Sequence, residues 1–170
     1  MTLRSFGARK PTIEEGAYVD PDSMLIGDVT IRASATVWPF ALLRADDDTI
    51  EVGEGSAVMD MAFIEAPSGR PVKVGRGCII SHGAKLHGSR VEDGAMVGIG
   101  AMMLDEAVLE KGAILAAGSI LPPGKRVAAM TLARGSPAKM ARKVTDADRE
   151  DLLKGLEALR AKAEQYGRKD

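Results

Sequence analysis

Large aliphatic residues recur every six positions along most of this chain. Ile13 and Val19 set the phase, Leu25, Ile31, Val37 and Leu43 continue it, and Val52, Val58 and Ile64 resume it after an interruption. The later half is more regular. Val91, Val97, Met103, Leu109, Leu115, Leu121 and Val127 stand six apart, and Ala95, Ala101, Ala107, Ala113 and Ser119 follow the first five of them by four. Six matches neither the helical period of about 3.6 nor the alternation of a strand, so the repeat is itself the structural unit. Each hexad predicts a short parallel strand whose large aliphatic points inward, followed by a small residue where the chain turns. Three hexads per coil over residues 12–127 predict about six stacked coils.

Two insertions interrupt the period, three extra residues within Arg44–Glu51 and four around Ala66–Pro71; the step from Leu86 to Val91 is one residue short. Insertions into a repeat are expected as loops outside the tube, often on a functional face. All three irregularities surround Ile80–Gly88, which holds both histidines, His82 and His87.

After Val127 the repeat stops, and Ala133–Lys139 reads as a linker. Thr145 with Asp148 three residues on predicts a capping box that opens a helix over 146–166. Leu152, Leu156, Leu159, Ala163 and Tyr166 share one face of it, to lie on the tube or on a neighbouring subunit. The expected organisation is a β-helix domain over 1–130, a linker over 131–145 and a C-terminal helix within 146–170. The fold class is all-β with that helix appended.

The register predicts a site. Counting back one coil from Leu86 leads to Ile64, and one more leads to Leu43. The residue after each of these faces outward, so Arg44, Glu65 and His87 form a column with neighbours about 4.8 Å apart. His82 stands on the preceding face above Asp60, a corner away. One tube does not join His82 to that column, whereas a symmetric neighbour does, so a homotrimer with a site at each interface is the expected assembly.

Composition narrows the alternatives. A net charge of −1 and a pI near 6.2 give no reason to expect nucleic acid or an anionic membrane as partner. No apolar run approaches the roughly 18 residues of a membrane span, and Met1–Gly7 lacks the apolar core of a signal peptide. The single cysteine, Cys78, closes no disulfide within the chain and sits in a small-residue slot of the core. A cytoplasmic protein is expected. Met59, Met61, Met96, Met102 and Met103 read as packing residues.

Trp38-Pro39, Arg44-Ala45-Asp46, Asp60, Gly83-Ala84-Lys85-Leu86-His87-Gly88 and Gly135-Ser136-Pro137-Ala138-Lys139, in that order and on this repeat, resemble the gamma-class carbonic anhydrases. The resemblance covers nearly the whole chain and implies a left-handed β-helix with reversible hydration of carbon dioxide by a metal-bound hydroxide at a trimer interface. It implies zinc, with iron or another divalent ion as alternatives, held by two ligands of one subunit and one of the next. His82 and His87 match two of the family's three histidines, and Glu65 stands at the third position. Two histidines and a carboxylate are a known catalytic zinc set. The resemblance further gives Arg44 and Asp46 to the subunit interface, Asp60 to the metal surroundings, and an acid of the Asp46-Asp47-Asp48 loop, for which we take Asp47, to proton transfer.

The chain departs from the family at Ala57 and Met59, where an asparagine and a glutamine are expected beside the metal-bound water. Glu65 has an alternative too, an ion pair with Arg44. These departures define a second reading, a non-catalytic trimeric binding or assembly protein with a remnant metal site or no metal. A third, acyl-coenzyme A transfer or thioester hydrolysis as in other hexapeptide-repeat proteins, finds no further histidine to act as general base.

Overall fold

The computed structural model describes residues 2–167; Met1 and residues 168–170, included in the expected domain spans, lie outside them. The hexads form a three-faced tube of parallel strands. The first face stacks Thr2–Arg4, the start of Met24–Ile31, the start of Leu42–Val52, Phe63–Glu65, Lys85–His87, Met102–Met103 and Ile120–Leu121. The second stacks Thr12–Ile13, the ends of the same two long strands, Val72–Val74, Arg90–Val91, Val108–Leu109 and Arg126–Val127. The third runs from Tyr18–Val19 through Thr36–Val37, Ala57–Val58, Ile79–Ile80, Met96–Val97 and Ile114–Leu115 to Thr131–Gly135.

The predicted ladders fill the interior. Leu43, Ile64, Leu86 and Met103 on the first face are fully buried, as are Val52 and Val74 on the second and Val58 and Ile80 on the third. Ala62, Ala84 and Ala101 close the corners, where a larger side chain would separate the coils. The tube has seven coils where the period predicted about six. Thr2–Arg4 adds a rung by pairing with Met24–Ile26, and Thr131–Gly135 extends the third face.

Three expectations are corrected. The first insertion is not a loop. Leu42–Val52 is one continuous strand that turns the corner, and residues 46–49 bulge from it between the pairs Gly27–Ala45 and Val29–Ile50. Burial of Ala45 and Ile50 anchors both ends, which keeps the bulge extended. The second insertion does lie outside the tube, closed by a turn in which Arg70 N donates to Pro67 O at 2.9 Å. The expected linker is instead an antiparallel hairpin of Thr131–Gly135 and Ala138–Lys143 turning at Ser136-Pro137. Ala133 continues the inward ladder beneath Leu115, so the chain is still held by the core there. Finally, Met61 is no packing residue within this chain: it is 70% exposed, while Met103 is fully buried.

Helix α1 (Asp146–Tyr166) has the predicted capping box, with the Asp148 amide donating to Thr145 Oγ1 and the Thr145 amide donating to the Asp148 carboxylate. It lies on the third face of its own tube. Leu152 and Ala163 are buried there, with Leu156 and Leu159 packed beside them, against Trp38, Ala57, Met59 and Ile79. Tyr166 meets Trp38 edge-on, their ring centroids 5.7 Å apart. No helix among the described residues is long and apolar enough to cross a membrane.

Candidate metal centre

Because Leu43, Ile64 and Leu86 point inward, the next residue on each rung points out, and the register pairs Arg44 with Glu65 and Glu65 with His87. The expected column is therefore present. Its side chains share their charges. Arg44 Nη2 donates to Glu65 Oε1, and Arg44 Nη1 donates to Asp46 Oδ2 at 3.1 Å. Glu65 Oε2 stands 3.9 Å from His87 Nε2, too far for a hydrogen bond. The other ring nitrogen, Nδ1, is hydrogen-bonded to Asp105 Oδ1. Asp105 Oδ2 in turn lies 3.5 Å from Arg70 Nη1 in the second insertion.

This arrangement selects a tautomer. In the neutral ring an ionised Asp105, which only accepts, puts the proton on Nδ1 and turns the Nε2 lone pair toward Glu65. One corner away His82 Nδ1 lies 2.9 Å from Asp60 Oδ2, as the stacking of those residues predicts. Half its side chain is exposed. Among the described residues of one chain no three histidine, cysteine or acidic groups converge on a common metal position. Glu65 and His87 come together; His82 does not join them within the chain.

The donor set fits a metal. Two ligands of a tetrahedral zinc, each about 2.0–2.1 Å from it, are separated by about 3.4 Å, close to the Oε2–Nε2 gap. His87 also has a carboxylate hydrogen-bonded to Nδ1, the usual way a ligating histidine is oriented. Glu65 reconciles its two predicted partners, because Arg44 takes one oxygen and leaves the other toward His87.

The remaining predicted residues are placed differently. Asp47 is exposed at the crest of the bulge, while Asp46 turns to Arg44 and Asp48 Oδ1 accepts from the Thr49 amide. Ala57 and Met59 lie beneath α1 with Trp38, which gives a packing reason for their apolar character. Cys78 is buried as expected, and burial pushes its thiol up to about 11. The reading of the sequence missed Asp105 and Arg70. The register held a signal: Leu104 follows His87 in the column, so Asp105 comes one step past it, on the rung next to Gly88.

No family model matches the chain. It is 42% identical over 154 residues to the mitochondrial gamma carbonic anhydrase 3 of Arabidopsis thaliana, a match covering 87% of this chain and 60% of that protein. The chain thus spans less than two thirds of that relative. It is 32% identical to protein YrdA of Escherichia coli, over 88% of this chain and 85% of the relative. The crystal structure of a hexapeptide transferase family protein from Anaplasma phagocytophilum superposes with a TM-score of 0.93 at 34% identity, covering 97% of this chain and 98% of that one. With the coil count, the C-terminal helix and the Arg44–Glu65–His87 register, these likenesses mean that the chain belongs to the gamma carbonic anhydrase family of hexapeptide-repeat, left-handed β-helix proteins.

Proposed function

We propose that the chain forms a homotrimer that hydrates carbon dioxide reversibly, with a divalent metal held by Glu65 and His87 of one copy and by His82 of the next. The observation that carries this reading is the 3.9 Å approach of Glu65 Oε2 to His87 Nε2, with Nδ1 of the same ring occupied by Asp105. A bound zinc or iron would supply Lewis acidity, lowering the pKa of water enough to make a nucleophile near neutral pH. The chain's own residues do the rest. Asp105 orients His87 through its hydrogen bond to Nδ1, and Asp60 stands 2.9 Å from Nδ1 of His82. Arg44 fixes one oxygen of Glu65 and offsets its charge, with Asp46 on its other side. Asp47, exposed on the same strand, would pass protons to solvent. A cytoplasmic location is part of the reading, although the plant relative is named mitochondrial; cell fractionation decides it.

Metal analysis of protein purified without chelator or histidine tag tests the proposal, beside Glu65→Ala and His87→Ala. The expected result is near one metal per chain, lost in both variants together with carbon dioxide hydration. Wild-type protein free of metal would overturn it.

A second reading is favoured by the Arg44–Glu65 ion pair and by Ala57 and Met59 serving helix packing. In it the chain is a trimeric assembly protein without turnover. Absence of hydration activity, with or without bound metal, is the outcome it predicts. Acyl-coenzyme A chemistry, suggested by the transferase name of the structural neighbour, is separated from both by thiol release from an acyl-coenzyme A.

A further inference from the structure

Among the described residues, Ser89 Oγ alone of the buried side-chain nitrogen and oxygen atoms has no hydrogen-bond partner. Ser89 is 2% exposed and stands just past Gly88, at the corner between the first face and the second. Buried serines elsewhere in the tube are paired. Ser23 Oγ donates to Asp20 O and Ser56 Oγ to Gly75 O, each at 2.7 Å, and Ser119 Oγ accepts from the Gly135 amide at 3.0 Å. A buried hydroxyl without a partner is costly, so Ser89 calls for one from outside the chain.

The cleft that Ser89 helps to line supplies the rest of a site, because three arginines reach it by different routes. Arg90 and Arg126 stand two rungs apart on the second face with Val108 between them, a short side chain that is 8% exposed and leaves a floor between two long ones. Two rungs span about 9.6 Å, a gap that one small ion bridges from guanidinium to guanidinium. Arg70 comes from the second insertion and packs over Gly88, where a Cβ would stand 2.9 Å from Arg70 Cβ.

These arginines keep donors to spare. Glu92 holds Arg90 through Nη2 at 2.6 Å and Glu110 holds Arg126 through Nη1 at 3.0 Å, yet neither glutamate lines the cleft. A guanidinium carries five N–H donors in a planar fork, and each of these pairs engages one nitrogen. Arg70 is held more loosely, 3.5 Å from Asp105 Oδ2 and 3.5 Å from Glu106 Oε1. Glu106 is the one acid in the lining, and its side chain is 70% exposed. Three cations against one anion leave an excess of two positive charges. The cleft, at about 220 Å³, is smaller than the roughly 300–1,000 Å³ of sites for larger organic ligands.

We propose that this cleft binds a phosphate dianion, free or as the end group of a small metabolite, between Arg70, Arg90 and Arg126 with the Ser89 hydroxyl donating to it. Two negative charges balance the excess, and arginine forks match phosphate oxygens in pairs. The site does not depend on the metal reading, since none of its residues is a proposed ligand.

Isothermal titration calorimetry of the full chain with inorganic phosphate, in mildly alkaline buffer where the dianion predominates, tests the proposal. Near one phosphate per chain is expected. Arg90→Ala and Arg126→Ala should each weaken it about tenfold or more, the scale of a lost charge-assisted hydrogen bond, and Ser89→Ala less. Glu106→Gln should tighten it by removing the one negative charge of the lining, a gain that no unfolded variant mimics. His82→Ala, which takes a ligand from the proposed metal site, and Arg76→Ala, whose partner Asp93 lies away from the cleft, should leave it unchanged. Thermal unfolding without phosphate checks that each variant is folded. Tighter binding of glycerol 3-phosphate assigns the site to a phosphomonoester, and equal binding assigns it to the free ion. No saturable binding, binding that survives Arg90→Ala and Arg126→Ala together, or binding lost in His82→Ala, which would put the phosphate on the metal, would overturn the proposal.

Discussion

Glu65 Oε2 and His87 Nε2 face each other at 3.9 Å across one rung of the tube, each fixed from behind, Glu65 by Arg44 and His87 by Asp105. A carboxylate oxygen and an imidazole lone pair repel unless something positive lies between them. Holding both in place is what a ligand pair requires, and it makes the residues behind them testable.

Asp105→Ala removes the acceptor that keeps the His87 proton on Nδ1. Zinc affinity, measured by competition with a chromophoric chelator, is expected to fall ten- to a hundredfold, about the usual effect of deleting a carboxylate behind a ligating histidine. Arg70→Ala should fall less, because Arg70 stands 3.5 Å behind Asp105 and touches no ligand. Unchanged affinity in Asp105→Ala would show that His87 needs no such support.

Glu65→His tests the charge of the site. A carboxylate donates more charge to a metal than an imidazole does and leaves it a weaker acid. The pH profile of hydration should therefore rise at lower pH in Glu65→His than in the native protein. Coincident profiles would remove Glu65 from the metal.

Helix α1 gives a pH dependence of known sign. Bidentate pairing with Arg142, at 2.6 and 2.9 Å, holds the Asp148 carboxyl well below the usual carboxylate range, helped by the Thr145 amide and hydroxyl. A pKa depressed by folding contributes stability in full above the unfolded value of about 3.9, lost as pH falls through the folded one. Asp148→Asn is expected to destabilise docking of α1 by about 1 kcal/mol at pH 7, the scale of a lost helix cap. The gap to the native protein should narrow below about pH 4. Trp38, the single tryptophan, packs against Tyr166 and reports the docking by fluorescence.

Two glycine-to-alanine changes should have opposite signs. A Cβ on Gly53 would stand 2.3 Å from Gly75 O on the next coil, so Gly53→Ala must force two coils apart, at about 1–3 kcal/mol as for other overpacked sites. A Cβ on Gly155, within α1, would make an ordinary contact with Ile79 Cδ1 at 3.5 Å, and Gly155→Ala should stabilise by about 0.5–1 kcal/mol through helix propensity. Urea unfolding at fixed protein concentration measures both.

The period of six determined the tube and its register. Each hexad states which residue faces in, and like residues stack on like, so Arg44, Glu65 and His87 were aligned by counting alone. The capping box and the apolar face of α1 were equally local signals. What the tertiary structure decided depends on residues far apart in the chain. Only packed coils turn Asp105, one step off the column, onto His87, and bring Arg70 of the second insertion, which lies outside the repeat, to Asp105. Only the third face, with Trp38 and Ile79, fixes where α1 lies and turns Ala57 and Met59 into its seat. Ser136-Pro137 looks alike in a linker and in a hairpin; the inward ladder ending at Ala133 made it a hairpin, since the last coil must be covered. A repeat encodes its own stacking, while the partners of a charged side chain are set by whichever rung the fold brings beside it.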